Sequence, residues 1–93
     1  MTNPPILVTQ GDADTINRPA WGLQTWQLAA PPKYFLDIHG GGHLPPLQAG
    51  STWLPGIEAA SMAFLDAYVA GNKPASGIAA AVSAAPLLSL RSG

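Results

Sequence analysis

The stretch Ile6-Leu7-Val8-Thr9-Gln10-Gly11-Asp12-Ala13-Asp14 decides how the rest of the chain is interpreted. Its first four residues favour β-structure and do not alternate with polar residues, which predicts a strand covered on both faces, as in a parallel sheet. Gly11 ends this strand, and Asp12 and Asp14 follow in a loop. In open α/β sheets, functional sites form beyond the carboxyl ends of the strands, so these acids are the first candidate site residues.

A helix and a second strand are predicted next. Pro19 suits the first turn of a helix over residues 20–30, and Pro31-Pro32 stops it because proline removes a hydrogen-bond donor. Residues 33–38 are expected to form the second strand, and this spacing implies a right-handed parallel crossover. One face of the helix is expected to carry Trp21, Thr25 and Leu28, with Leu23 and Trp26 flanking it. On the strand, the two faces are expected to carry Tyr34, Leu36 and Ile38 on one side and Phe35 and Asp37 on the other.

Two further helices are predicted after a loop. Residues 56–70 carry apolar side chains at the helical period, and Gly71-Asn72 is a suitable stop. The expected stripe comprises Ile57, Ser61, Phe64, Leu65 and Tyr68. Residues 76–85 are alanine-rich and are expected to be helical, ahead of an unassigned tail over residues 86–93. The predicted order is therefore β-α-β-α-α, an α/β arrangement with two parallel strands.

Composition restricts the classes of function. The chain has 93 residues, which suffice for one domain. Because 47% of them are apolar, there is ample apolar surface to bury in a core. The net charge is −1 and the four Lys and Arg residues are spread along the chain, which argues against a nucleic-acid partner. Without cysteine, neither disulfides nor cysteine-based metal sites are expected. The sequence suggests neither a signal peptide nor a membrane-spanning segment, so no membrane partner and no particular compartment are predicted.

A histidine follows the second strand as the acids follow the first. The glycines of Gly40-Gly41-Gly42 precede His43 and give the backbone room to aim its ring. Because the carboxyl ends of parallel strands meet at one edge of a sheet, Asp14 and His43 are expected to lie together. A carboxylate beside a histidine fixes the imidazole tautomer and stabilises the imidazolium formed during proton transfer. Taken alone, Asp14 could equally be a turn residue and His43 a structural loop histidine.

The remaining polar residues near these strand ends are expected to be structural. Asp12 competes with Asp14 for the role of the acid and is interpreted as a turn or solvent-facing residue. His39 lies four positions before His43, but the glycines between them disfavour a shared helical metal face. We therefore predict no metal site and no cofactor.

These residues resemble motifs of the α/β-hydrolase superfamily. The stretch over residues 5–16 is similar to its late-strand acid motif, G-x-x-D, and Gly40-Gly41-Gly42-His43 is similar to its histidine loop. The runs Pro32-Lys33-Tyr34 and Ala63-Phe64-Leu65-Asp66-Ala67-Tyr68 resemble the dienelactone-hydrolase and lipase/cutinase-like branches. Together the resemblance covers residues 4–75.

The resemblance implies a partial α/β-hydrolase fold that contains the last two parallel strands of the sheet. Residues 1–75 would be the C-terminal segment of the hydrolase domain, and residues 76–93 a terminal helix and tail. Asp14 corresponds to the acid of the catalytic triad and His43 to the general base.

The nucleophile is the point at which the sequence departs from this family. The family's G-x-S-x-G elbow lies upstream of the acid, whereas no serine precedes Asp14 and the nearest imitation, Gly50-Ser51, follows His43. The resemblance thus implies the C-terminal fragment of a serine hydrolase acting on carboxylic esters, inactive alone and without a cofactor. The alternative is a non-catalytic remnant or interaction module that pairs through a sheet edge. The expected partner is a complementary N-terminal hydrolase segment or a second copy of the chain.

Overall fold

The computed structural model describes residues 4–93, which form a mixed α/β fold with a three-stranded sheet and three α-helices. In chain order the elements are β1 (Ile6–Gly11), α1 (Pro19–Leu28), β2 (Lys33–Ile38), a 3-10 turn (Pro45–Leu47), α2 (Leu54–Tyr68), α3 (Ser76–Ser83) and β3 (Leu88–Ser92). None of these helices combines the length and the apolarity needed to cross a membrane.

The sheet has three strands, where the sequence predicts two. Its order is β1-β2-β3; β1 runs parallel to β2, and β3 runs antiparallel to β2. The third strand lies in the tail that the sequence leaves unassigned. Leu88 and Leu90 face inward, and the intervening Ser89 is exposed, so the strand follows the period of two expected for a half-buried edge.

One face of the sheet packs on α2 and α3. Leu36 and Ile38 from β2 form the core with buried residues of α2, α3 and β3, namely Ile57, Ala60, Val82 and Leu88. The predicted assignment of Leu36 and Ile38 to one face is therefore confirmed. Because Val82 and Leu88 belong to the same core, residues after 75 are packed together with the rest of the chain.

The other face of the sheet packs on α1, through the helix face that carries Gly22 and Trp26. Trp26 meets Phe35 edge to face, with ring centroids 6.2 Å apart, and Gly22 is buried. The face that carries Trp21 and Leu28 is turned toward solvent, since these side chains are 53% and 80% exposed. Gly22 faces the sheet and lies against the side chain of Gln10. A Cβ at position 22 would lie 2.2 Å from Oε1 of Gln10, so this close packing requires glycine.

Three aromatic residues close the end of the sheet beneath α2. Tyr34 packs against Phe64 and Tyr68, and the hydroxyls of Tyr34 and Tyr68 lie 2.5 Å apart. Burial, followed by the hydrogen bond to Tyr68, raises the pKa of Tyr34 to about 12. This contact fixes α2 across the sheet at the end opposite the carboxyl ends of β1 and β2.

Candidate functional site

Two glycines hold the loops after β1 and β2 against each other. A Cβ on Gly11 would lie 2.1 Å from the carbonyl oxygen of Gly41, so only glycine permits this approach. Backbone hydrogen bonds join the same loops, from Asp12 N to Ile38 O at 3.1 Å and from Ala13 N to Gly41 O at 3.0 Å. The contact fixes where each loop delivers the side chains that follow.

The structure brings Asp14 and His43 into direct contact at this edge. His43 Nδ1 lies 3.0 Å from Asp14 Oδ2. The Asp14 side chain is 6% exposed, whereas the His43 side chain is 42% exposed. The acid is therefore enclosed, and the imidazole is held by one edge while much of its surface faces solvent.

The second oxygen of Asp14 is also occupied. Oδ1 accepts hydrogen bonds from the backbone N–H of Ile16 at 2.9 Å and of Asn17 at 2.8 Å. Asp14 is thus both a turn residue and the hydrogen-bond partner of His43.

Electrostatics favour the ionised form of Asp14. Burial alone would raise the pKa of its carboxyl, but the hydrogen bonds to both oxygens and the charge on the His43 ring outweigh burial and hold the pKa below its ordinary value. An ionised carboxylate can only accept, so His43 Nδ1 carries the proton and donates it to Asp14. In the neutral ring, Nε2 is then left as a basic acceptor.

A small cleft of about 170 Å³ lies beside this pair. Asp14 and His43 line it together with Gly11, Gly42 and Pro46. The cleft is too small to hold more than one end of a small molecule, and that end would lie beside the imidazole.

A second acid–histidine group lies beside the first. His39 Nδ1 is 3.5 Å from Asp12 Oδ2 and 3.8 Å from Asp37 Oδ2, and the three side chains are between one third and one half exposed. Their donor atoms lie within 4.8 Å of one another, and carboxylate oxygen and imidazole nitrogen are atom types that zinc accepts. The same geometry also suits a cluster of polar contacts that holds no metal.

The serine nearest to His43 in the sequence has a structural role. Ser51 Oγ donates to the carbonyl of Pro46 at 2.7 Å and accepts from the backbone N–H of Leu54 at 3.0 Å, at the start of α2. Its hydroxyl thereby satisfies a backbone donor that the helix leaves free, as a capping residue does.

An apolar groove of about 390 Å³ lies between the start of α2 and the turn that leads into β3. Trp53 lines it and donates from its indole Nε1 to the carbonyl of His39 at 2.8 Å. The groove has no titratable side chain in its lining, so the chemistry of this edge belongs to the two acid–histidine groups.

The sequence interpretation missed two residues that support Asp14. Gln10 is 2% exposed and forms hydrogen bonds with Asn17, whose backbone N–H in turn bonds Asp14. A glutamine at the end of an apolar strand was the only signal in the sequence.

Comparisons of the chain with protein families, curated proteins and solved structures find no match.

Proposed function

We propose that this chain supplies the acid and the histidine of a serine-hydrolase triad, as the C-terminal segment of an α/β-hydrolase acting on carboxylic esters. One observation carries the proposal: the 3.0 Å contact between His43 Nδ1 and a buried Asp14 that holds its ionised form. Three further features support the same assignment. His43 follows the end of the second strand, a glycine loop precedes it, and Asp14 stands in the acid motif G-x-x-D.

The proposed chemistry is general base catalysis followed by acid catalysis. His43 Nε2 takes the proton of a serine hydroxyl as the serine oxygen attacks the ester carbonyl. Asp14 keeps the proton on Nδ1 and compensates the positive charge of the imidazolium. The leaving alcohol then takes the proton from Nε2, and water repeats the cycle on the acyl-enzyme with the same two residues.

The serine must come from outside this chain in the proposal. No serine precedes Asp14, and the hydroxyl of Ser51 is already engaged at the start of α2. The chain alone should accordingly form no adduct with a fluorophosphonate probe, as read by intact mass. A stoichiometric adduct on one serine, lost in His43→Ala, would instead place the nucleophile within these residues.

The positive test is a chimera in which this chain replaces the acid- and histidine-bearing end of a serine esterase. We expect hydrolysis of a chromogenic short-chain ester that falls by about 10³-fold or more in His43→Gln and in Asp14→Asn. The neighbouring pair provides the matched control, since His39→Gln and Asp12→Asn should retain most of the activity. A folded chimera that hydrolyses the ester no faster than its own His43→Gln variant contradicts the proposal.

We also propose that the free edge of β1 is the surface on which a further strand pairs. Within residues 4–93, β1 pairs only with β2, and Ile6–Gly11 contains no Lys, Arg or Pro that would discourage pairing. The opposite edge, β3, carries Arg91. Near the start of β1, the exposed Leu28 and the partly buried Ile6 line a pocket of about 380 Å³.

The occupant of this edge is a strand of the upstream hydrolase segment, or a second copy of the chain when that segment is missing. Sedimentation velocity should therefore show concentration-dependent association of the chain alone. Thr9→Lys on β1 should reduce the association, while Ser89→Lys on β3, at a position that is also exposed, should leave it unchanged. A monodisperse monomer that melts cooperatively would argue against edge pairing.

A further inference from the structure

A fully buried amide lies directly behind the acid–histidine pair. Gln10, at the end of β1, is 2% exposed, and its Nε2 donates to Gly11 O at 3.0 Å and to Asn17 O at 2.7 Å. Its Oε1 accepts from Asn17 Nδ2 at 3.1 Å. Both donors and the acceptor of the amide are therefore used, and two of the three bonds go to the same loop residue.

Asn17 connects this amide to Asp14. Its carbonyl and side-chain amide bond Gln10, and its backbone N–H donates to Asp14 Oδ1 at 2.8 Å. Oδ2 of the same carboxylate faces His43. The position of Asn17 thereby sets the rotation of the carboxylate, and Gln10 sets the position of Asn17.

The helix α1 encloses the amide from the other side. A Cβ on Gly22 would lie 2.2 Å from Gln10 Oε1, so the helix backbone comes close enough to exclude water from the amide. Buried polar side chains are retained when their hydrogen bonds are complete. This one bonds the end of the strand and the loop, and it packs against the helix.

We propose that Gln10 is a positioning residue that holds Asp14 in register with His43 and thereby fixes the proton on His43 Nδ1. The proposal deepens the proposed function, on which its catalytic significance rests. An exchange of Gln10 for an apolar residue removes the ties on Asn17 and frees the loop to turn. The carboxylate then loses its fixed direction, and the neutral imidazole shifts toward the form with the proton on Nε2, which cannot act as a base from that atom.

The test reads the tautomer of both histidines by long-range ¹⁵N–¹H correlation in the labelled chain, at about pH 9, where imidazole is neutral. We expect Gln10→Leu to lower the ratio of the Nδ1–H to the Nε2–H form of His43 by about fivefold or more. His39 serves as the internal reference and should not change. Gln24→Leu is the matched control, since Gln24 is exposed on α1.

Asn17→Ala provides a second variant with a smaller perturbation, because it removes only the side-chain donor to Gln10 Oε1 and leaves the backbone bonds in place. We expect it to shift the His43 ratio in the same direction by a smaller factor. If Gln10→Leu and Asn17→Ala both keep the dispersed spectrum of the folded chain and the His43 ratio stays at its original value, the proposal is overturned. The readout needs no ester hydrolysis, so its failure is distinct from failure of the hydrolase proposal.

Discussion

Exchange of Gly11 for alanine tests the close approach on which the whole site depends. The new Cβ would lie 2.1 Å from Gly41 O, 2.7 Å from Gly41 C and 2.9 Å from Gly42 O. These are backbone atoms, which cannot swing away as the end of a side chain can. The loop after β2 must therefore move by about 0.9 Å to reach the 3.0 Å at which real Cβ contacts begin.

The cost has two parts. Forcing an extra carbon into a packed region costs about 1–3 kcal/mol. The same shift breaks the hydrogen bond from Ala13 N to Gly41 O, which is worth about 1 kcal/mol. We expect Gly11→Ala to lower the free energy of unfolding by about 2–4 kcal/mol.

Urea unfolding followed by tryptophan fluorescence measures this loss. With a slope of about 1–2 kcal/mol per molar, the midpoint should fall by about 1–4 M relative to the unchanged chain. Gly77→Ala on α3 is the matched control, because nothing lies within 4 Å of a Cβ there and alanine favours a helix. A Gly11→Ala midpoint equal to that of the unchanged chain would refute the geometry assigned to the two loops.

Three further results are expected. Leu36→Ala should lower the free energy of unfolding by about 2–5 kcal/mol in urea, since Leu36 is completely buried, whereas Leu65→Ala, at 44% exposed, should cost much less. Because the pKa of Tyr34 is raised from 10.0 to about 12, its stabilising effect is present below pH 10 and is lost as the pH rises to 12. The full shift corresponds to about 2.7 kcal/mol, which solvent screening of the partly exposed phenol reduces to about 1 kcal/mol. Tyr34→Phe should remove this loss of unfolding free energy between pH 10 and pH 12. Because the pKa of Asp14 lies below 3.8, its stabilising effect is present above pH 3.8 and is lost as the pH falls below that value, so the difference in unfolding free energy from Asp14→Asn should shrink in acid.

The contact between Asp14 and His43 was predictable because it follows from strand direction alone. Two buried runs separated by a helix form a parallel pair, and the residues after both runs meet at one edge. β3 escaped prediction because Leu88 and Leu90 are its only apolar residues and they follow an alanine-rich helix. Such a short alternation of apolar and polar residues forms a strand only when β2 is present to pair with it.

The face of α1 and the support beneath Asp14 could not be predicted, for one shared reason. Periodicity weights large apolar residues such as Trp21 and Leu28, and it gives no weight to a glycine. The structure instead packs Gly22 against Gln10, so the decisive feature is the absence of a side chain on one element opposite a polar side chain on another. Sequence spacing within one element carries no signal for such a pair.

The same edge of the sheet offers two acid–histidine pairs, and burial distinguishes them. Asp12 and His39 are 45% and 44% exposed and lie 3.5 Å apart, so their attraction is screened by water and salt. Asp14 is 6% exposed, accepts backbone hydrogen bonds on one oxygen and lies 3.0 Å from His43 with the other. Both acids follow the same strand and differ by two positions. In the run Gly11-Asp12-Ala13-Asp14, the second residue is exposed and accepts from the backbone N–H of Gly40 in the other loop at 2.7 Å. The fourth is buried and accepts from the backbone N–H of Ile16 and Asn17 in its own loop. The distance of the acid from the end of β1 therefore decides whether the carboxylate beside the histidine is exposed or buried, and this gives the spacing G-x-x-D its physical meaning in this chain.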